Sequence, residues 1–293
     1  MNAVELVDWR SAEAWSYKNA KTLKRRIYRI LSNLSNPLKQ STPMDFLNRT
    51  TLLLGEKTME RIATARVVIF GVGGVGSWCA ESLVRSGIRH LTIVDADTVN
   101  VSNINRQAMA FHSTIGRVKV DTLRELLLDI NPAAEIEACH EYFSAETADT
   151  FQLERYDFIV DAIDSVKDKM ELIIRATAKG ESGELEGGRG IFYSSMGAAL
   201  KVDPTLVRVS EFWQVNGCPL AALLRRRMRK QKRFPGRKFR CVWSPEVLPN
   251  LGPAEPPDPD AIIKKAQTNG TTAHITAIFG FTLAGLILQD LCH

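Results

Sequence analysis

The stretch RVVIFGVGGVGSW, residues 66 to 78, decides the fold. Arg66 to Phe70 is a short β-branched run of the kind that fills a buried strand, and it breaks directly into Gly71, Gly73, Gly74 and Gly76. A Gly-x-Gly-x-x-Gly spacing lets the chain turn tightly after a strand, lets backbone approach a phosphate with no Cβ in the way, and lets the following helix pack closely on the sheet. The helix N-terminus then faces the anion. Asp95, 19 residues beyond Gly76 at the end of the next apolar run, is placed to accept hydrogen bonds from ribose hydroxyls. By itself this fingerprint points to NAD.

Outward from the glycines, β-branched runs alternate with helical patterns: LTIVDAD, 116–130, EIEAC, 145–154, DFIVDA, 166–179 and IFYSSM. Such alternation implies right-handed crossovers and a mostly parallel sheet covered on both faces. The fold class is therefore α/β, a Rossmann-like doubly wound, mostly parallel sheet with a mixed C-terminal extension and an N-terminal helical appendage. Three portions are expected: the appendage over 1–43, a nucleotide-binding domain over 44–200, and a C-terminal portion over 201–293. The appendage contains KTLKRRIYRILSNL at 21–34, whose Leu23, Ile27, Ile30, Leu31 and Leu34 share one helical face. ESGELEGGRG at 181–190 and PNLGPAEPPDPD, with five prolines between 249 and 259, read as surface loops.

With 45% apolar and 24% charged residues, the chain has the composition of an ordinary globular protein. ITAIFGFTLAGLIL at 275–288 is short for a bilayer span and reads as a buried helix, so no membrane partner is expected. Cys79, Cys139, Cys218, Cys241 and Cys292 are odd in number and form no C-x-x-C pair, so neither a disulfide framework nor a zinc knuckle is indicated, which suits a reducing, cytoplasmic setting. Glu5, Asp8 and Glu13 argue against an acid-poor transit peptide.

The residues after Asp95 are poorly explained by hydride transfer. VDADTVNVSNINRQ at 94–107 puts Asp95, Asp97, Asn103, Arg106 and Gln107 on the loop leaving the second strand, at the sheet edge where doubly wound folds bind ligands. Lys119 opens the next helix, and Asp161 and Asp164 end the fourth strand in VDAIDS. Arg106 and Lys119 would supply positive charge to a triphosphate, and Asp161 could hold magnesium against the same phosphates. Taken singly, Arg106 and Lys119 read better as solvated cations and Asp161 as a helix cap; their common location after successive strands favours one shared site.

Together, GVGGVGSW, SNINRQ, Gly116-x-x-Lys119 and VDAIDS resemble the ThiF/MoeB/HesA group of ubiquitin-activating-type enzymes, which adenylate a carboxylate with ATP. The resemblance spans roughly residues 45–245. It implies that Gly71, Gly73, Gly74, Gly76 and Asp95 contact ATP with Gln107 and Asp164 beside them, that Asp97 and Asn103 shape the site, that Arg106 and Lys119 hold phosphates, and that Asp161 binds Mg2+. Arg49, in FLNRTTLLLGEK, matches the family arginine that reaches a partner subunit's active site, which implies a homodimer. Without that match Arg49 reads as a surface residue.

The group's sulfur-carrier activators commonly carry two C-x-x-C pairs in the second half, and none is present. SSMGAALKVDPTLVRVSE, CPLAALLRRRMRK and CVWSPE instead resemble the tRNA threonylcarbamoyladenosine dehydratase branch, which uses ATP to cyclise the threonylcarbamoyl group beside the anticodon. That resemblance implies tRNA as substrate, with a sulfur-relay protein as a candidate partner. The alternatives are an adenylyltransferase for a sulfur-carrier or ubiquitin-like protein, a nucleotide-binding module without turnover, and, last, an NAD oxidoreductase. Cys241 is a candidate nucleophile for a thioester, with a buried structural thiol as the simpler reading.

The charge distribution bears on the substrate independently. RRRMRKQKRFPGRKFR at 225–240 holds ten of the 38 Lys/Arg and no acid, so the remaining 28 are outweighed by 33 Asp/Glu. Arg225, Arg226, Arg229, Lys230, Lys232 and Arg233 are the candidate tRNA contacts, and the interleaved Phe234 and Phe239 suit stacking on an unpaired base. A solvated basic helix face is the plainer alternative.

Overall fold

The protein is described from a computed structural model that covers residues 45–178, 190–252 and 269–293. The expected helix at 21–34, most of the 181–190 loop and the proline-rich stretch from 253 lie outside those residues.

Among the described residues seven strands form one sheet: β1 (Arg66–Phe70), β2 (His90–Val94), β3 (Glu135–Cys139), β4 (Phe158–Asp161), β5 (Ile191–Ser195), β6 (Arg208–Glu211) and β7 (Arg240–Trp243). Their spatial order is β3-β2-β1-β4-β5-β7-β6, and every pairing is parallel except that of β6 with β7. The strand order reverses between β1 and β4, which opens a crevice beyond their carboxyl ends. The buried runs of β1 and β4 reflect cover on both faces, since neither side of a central parallel strand meets water.

Among the described residues seven α-helices accompany the sheet: α1 (Asn48–Leu54), α2 (Glu56–Thr64), α3 (Gly76–Arg85), α4 (Lys119–Ile130), α5 (Val166–Ala176), α6 (Pro219–Gln231) and α7 (Ala273–Cys292). One core lies on the face covered by α3, α4 and α7 and includes Ile69, Leu83, Leu123, Phe279 and Leu283. A second, on the opposite face under α5 and α6, includes Phe70, Phe151, Ile173, Leu224 and Cys241. The segment 145–154, expected as a helix, forms two 3-10 turns at Ala148–Phe151 and Leu153–Arg155. Thr147 and Thr150 give their hydroxyls to the carbonyls of Tyr142 and Thr147, and Gln152 between the turns adopts φ of 45°, which no α-helix continues through.

At 20 residues α7 exceeds its 14-residue apolar stretch and is long enough to cross a bilayer, yet half of its most apolar window is buried inside the protein. Ile275, Phe279, Leu283 and Ile287 recur at four-residue spacing and are each fully buried, the pattern of a core helix. Its closest approach is to α3, where a Cβ on Gly280 would lie 2.5 Å from the Val75 carbonyl oxygen and 2.8 Å from the Cys79 nitrogen. Gly280→Ala must separate the helices, and a loss of about 1–3 kcal/mol in urea unfolding is expected. Unchanged stability would show that the two helices do not meet this closely.

Candidate active site

The crevice is built around the glycine turn. Gly71 adopts φ of 86°, and a Cβ there would lie 2.8 Å from the Ala162 carbonyl oxygen just past β4, so a side chain would wedge the two strand ends apart. A Cβ on Gly76 would overlap the Gly71 carbonyl oxygen at 1.9 Å, so the loop closes only with glycine at both ends. Gly74 lies under Arg106 and Thr276, whose side-chain carbons would stand 3.3 and 3.1 Å from its Cβ. Gly73 differs: the nearest atom to its Cβ would be Gln107 Nε2 at 3.8 Å, ordinary contact.

Asp95 leaves β2 half-buried at this edge. Its Oδ2 accepts from the Val72 amide at 2.8 Å, tying the ends of β1 and β2 together, and its Oδ1 accepts from the Asp97 amide at 3.0 Å. Lys119, at the start of α4, is only 5% exposed, which removes the reading of a solvated surface cation. Its Nζ donates to Asp97 Oδ2 at 2.7 Å and stands 3.9 Å from Asp95 Oδ1. Burial pushes the Asp95 carboxyl above its ordinary range, against the pull of Lys119.

The loop from Asn100 to Gln107 is folded by its own side chains and docked on α3. Asn103 is buried, with its Oδ1 accepting from the Asn100 amide at 3.0 Å. Arg106 donates from Nη1 to the Ser102 carbonyl at 2.7 Å and to Asn105 Oδ1 at 2.8 Å, while its own carbonyl accepts from Trp78 Nε1 at 2.9 Å. Ser77, which carries no signal in the sequence, joins loop to loop: its hydroxyl donates to Gly73 O at 2.7 Å and accepts from the Ala108 amide at 3.1 Å. The start of α7 closes the same region, with Asn105 Nδ2 donating to Thr271 O at 3.1 Å. Gln107 Oε1 and the hydroxyls of Thr271 and Thr272 are buried without a hydrogen-bond partner among the described residues. Such atoms cost about 1–3 kcal/mol each and favour a ligand that satisfies them.

Asp161 and Asp164 fall in different surroundings. Asp161, the last residue of β4, is fully buried; its oxygens accept from Lys169 Nζ at 2.8 Å, Ser194 Oγ at 2.6 Å and the Ile163 amide at 3.1 Å. Lys169 is also fully buried and donates to the Ile163 carbonyl at 2.9 Å. Asp161 is thus occupied by an internal cation rather than presented to a metal. Asp164, three residues on, is exposed on the loop that this pair holds. Tyr142 and Ser165 both donate to Asp168 at the start of α5, a cluster that also flanks Asp164.

Cys241 sits on β7 opposite Ser194 of β5 and is fully buried. Burial pushes its thiol well above the ordinary range, the reverse of what a nucleophilic thiolate needs. Arg49 is exposed on α1 and stands apart from these contacts.

The basic segment divides. Arg225 donates to the Phe212 carbonyl at 3.0 Å, Arg233 pairs with Glu171 at 2.8 Å, and Arg240 pairs with Asp290 at 2.6 Å. Arg237 holds the Ala176 carbonyl at 3.0 Å. Arg226, Arg229, Lys230 and Lys232 are exposed along and just past the second half of α6. Phe239 is 5% exposed and unavailable for stacking, whereas Phe234 is 50% exposed.

Residues 47–292 match the model of the ThiF family. The chain belongs to the ThiF family. It is 31% identical over 248 residues to the tRNA threonylcarbamoyladenosine dehydratase of Bacillus subtilis, covering 83% of this chain and 93% of the relative. The enzyme of that name from Haemophilus influenzae is 33% identical, covering 80% of this chain and 88% of its own length. Among solved structures, Escherichia coli tRNA N6-threonylcarbamoyladenosine dehydratase in complex with ATP superposes with a TM-score of 0.71 at 29% identity, over 85% of this chain and 94% of that one. This ThiF-family chain therefore matches those relatives over most of their length.

The buried pair makes a sharp prediction. Asp161→Asn strands the Lys169 charge, and Lys169→Met strands the Asp161 charge, so each should lower unfolding stability by about 3–5 kcal/mol. The double variant should lose much less than the sum when the three are compared by urea denaturation. Additive losses would show that the two residues do not interact.

Proposed function

We propose that this protein is an ATP-dependent enzyme that cyclises the threonylcarbamoyl group on an adenosine of tRNA by adenylating its carboxylate. The observation that carries the reading is the meeting of Arg106, Lys119 and Asp95 with the glycine turn at one sheet edge. Dehydratase relatives that match nearly end to end supply the substrate.

In this reading the Gly71–Gly76 turn and the N-terminus of α3 face the phosphates, and the ordinary space over Gly73 is filled by a phosphate oxygen. Asp95 Oδ1 faces the ribose. Asp97 fixes Lys119, and Asn103 folds the loop that carries Arg106, so both cations are held before the substrate arrives. Gln107 and Thr272 offer polar atoms that lack protein partners among the described residues. Magnesium fits this donor set only as an ion shared with the nucleotide: no three ligating side chains converge among the described residues, and magnesium needs only one or two carboxylates beside phosphate oxygens. With Asp161 engaged by Lys169, the exposed Asp164 is the carboxylate we assign to it, and Asp161 becomes the residue that positions the loop. When bound, the ion neutralises charge gathering on the departing pyrophosphate.

The substrate carboxylate attacks the α-phosphorus and pyrophosphate leaves, which turns an oxide that cannot depart into an acyl adenylate. The neighbouring ureido group then attacks the activated carbonyl carbon and loses its N–H proton, closing the ring and releasing AMP. Because the attacking group is tethered beside its target, this second step draws on a high effective concentration and needs no protein nucleophile, which agrees with a buried Cys241. The exposed cations of α6 hold the tRNA backbone. The assembly is a homodimer in which Arg49 reaches the partner's site: Leu54 packs on the core of its own subunit, but Leu52 and Leu53 on the same helix are 88% and 81% exposed, so this apolar surface calls for a cover.

Pyrophosphate and AMP release should require threonylcarbamoylated tRNA, with unmodified tRNA or a carrier protein ending in Gly-Gly giving none. Turnover with the carrier alone would overturn the substrate. Arg106→Ala and Asp164→Ala should each reduce turnover on the order of 100-fold while ATP remains bound; full activity in both would remove the assigned roles.

Charge reversal at Arg226, Arg229 and Lys232 should weaken tRNA binding and leave ATP binding intact. Each lost phosphate contact should reduce the slope of log affinity against log salt by about 0.7–0.9. A binding curve unchanged in affinity and slope would exclude α6 from the interface.

A further inference from the structure

We propose that Trp213 and Phe234 form a platform on which an unpaired RNA base stacks, a site that rests on tRNA being the substrate. Trp213 is 42% and Phe234 50% exposed, their ring centroids lie 6.3 Å apart, and the Arg229 guanidinium stands 6.0 Å from the Trp213 ring. Beneath them the aromatic chain continues inward: Trp213 meets Phe212 edge-on at 5.2 Å, and Phe212 stacks on Phe239 at 5.1 Å with both buried. The exposed pair is therefore the outer end of a packed aromatic column.

Phe234 is held on both sides. Arg233 is tied to Glu171 at 2.8 Å, and Gly236 donates to Thr177 Oγ1 at 3.2 Å, so the turn is anchored at two points, on α5 and just past its end. Holding two large rings in water gains the fold little, and a ligand that covers them removes that exposure. The ligand's class follows from the surroundings. Arg229 stands against the Trp213 ring, Arg226, Lys230 and Lys232 are exposed on the same helix and the residue after it, and no acid occurs between 225 and 240. A polyanion that also offers flat π-faces suits both features, and in RNA those faces are open only in loops and single strands.

The platform's place in the fold adds a constraint. Trp213 follows β6, whose last residue Glu211 pairs with Arg240 at the start of β7. It therefore lies toward the amino edge of the parallel sheet, while the nucleotide turn lies at the carboxyl edge. The stacked base is thus a different base from the one being modified, and the platform acts by orienting the RNA.

Trp213→Ala and Phe234→Ala should each weaken binding of threonylcarbamoylated tRNA about tenfold, with an unchanged salt slope, because stacking releases no counterions. Trp213→Phe should retain most of the affinity, and a blunt RNA duplex of similar length should bind wild type and alanine variants equally. Part of the tryptophan emission should be quenched by tRNA in wild type and not in Trp213→Phe. ATP affinity and thermal midpoint serve as folding controls, and the conservative Trp213→Phe variant keeps the test valid if an alanine variant unfolds. Normal tRNA affinity in both alanine variants, with the charge-reversal variant impaired, would overturn the platform and leave the proposed function standing. Equal weakening on duplex RNA would also overturn it. Loss of binding to a protein partner with tRNA affinity intact would make the pair a protein contact instead. Failure of the wild-type enzyme to bind tRNA at all would overturn both readings.

Discussion

The space between the ends of β1 and β4 is too small for a side chain, and much of the molecule is arranged around that limit. Gly71 passes within contact of the Ala162 carbonyl, and Gly76 packs directly on the Gly71 carbonyl. A turn this tight starts α3 immediately over the strand ends. It also brings the exits of three neighbouring strands, at Gly71, Asp95 and Ala162, close together, with the first two bonded through the Asp95 carboxylate and the Val72 amide. The site is consequently assembled from backbone whose course is set before any ligand arrives.

Two buried lysines show how the same charge is used differently at different depths. Lys169 lies fully inside, where desolvation is severe, and it is matched by Asp161 and the Ile163 carbonyl so completely that its role is to hold the loop after β4. Lys119 lies at the rim, paired with a partly exposed Asp97 and within reach of Asp95. A charge at the rim keeps part of its field for an incoming anion, whereas one at the centre is neutralised by its partners. Depth, rather than residue type, separates the group that supports the site from the group that faces it.

The same distinction marks what could be read from residue order. β1, β2, β3, β4 and β5 were legible because β-branched runs of strand length alternate with helix-length segments, and Asp95 and Lys119 were legible because each closes or opens such an element. The two aspartates of VDAIDS were not separable by that reasoning, since both sit at a strand end; the clue was Lys169, which shares a face of α5 with Ile173 and Ala176, all fully buried, where a cation demands an internal partner. Thr276, Gly280 and Ser77 carry no local signal, because their importance comes from contacts made far along the chain, above all α7 returning nearly 200 residues later to pack on α3. The helix expected at 145–154 failed for a local reason, the competition of threonine hydroxyls for backbone carbonyls.

Counted along the chain the basic segment is ten cations, yet in the fold Arg225, Arg233, Arg237 and Arg240 stitch α6 and the following turn to the sheet, α5 and α7. That stitching is what lets the others matter, since cations on a loose segment would lose the full entropy of ordering when a polyanion bound. Here the exposed members project from a helix and turn whose positions are already fixed. In the proposed function, a nucleotide edge and a cationic edge at opposite ends of one sheet act on a single extended substrate, and rigidity between them sets which adenosine reaches the crevice.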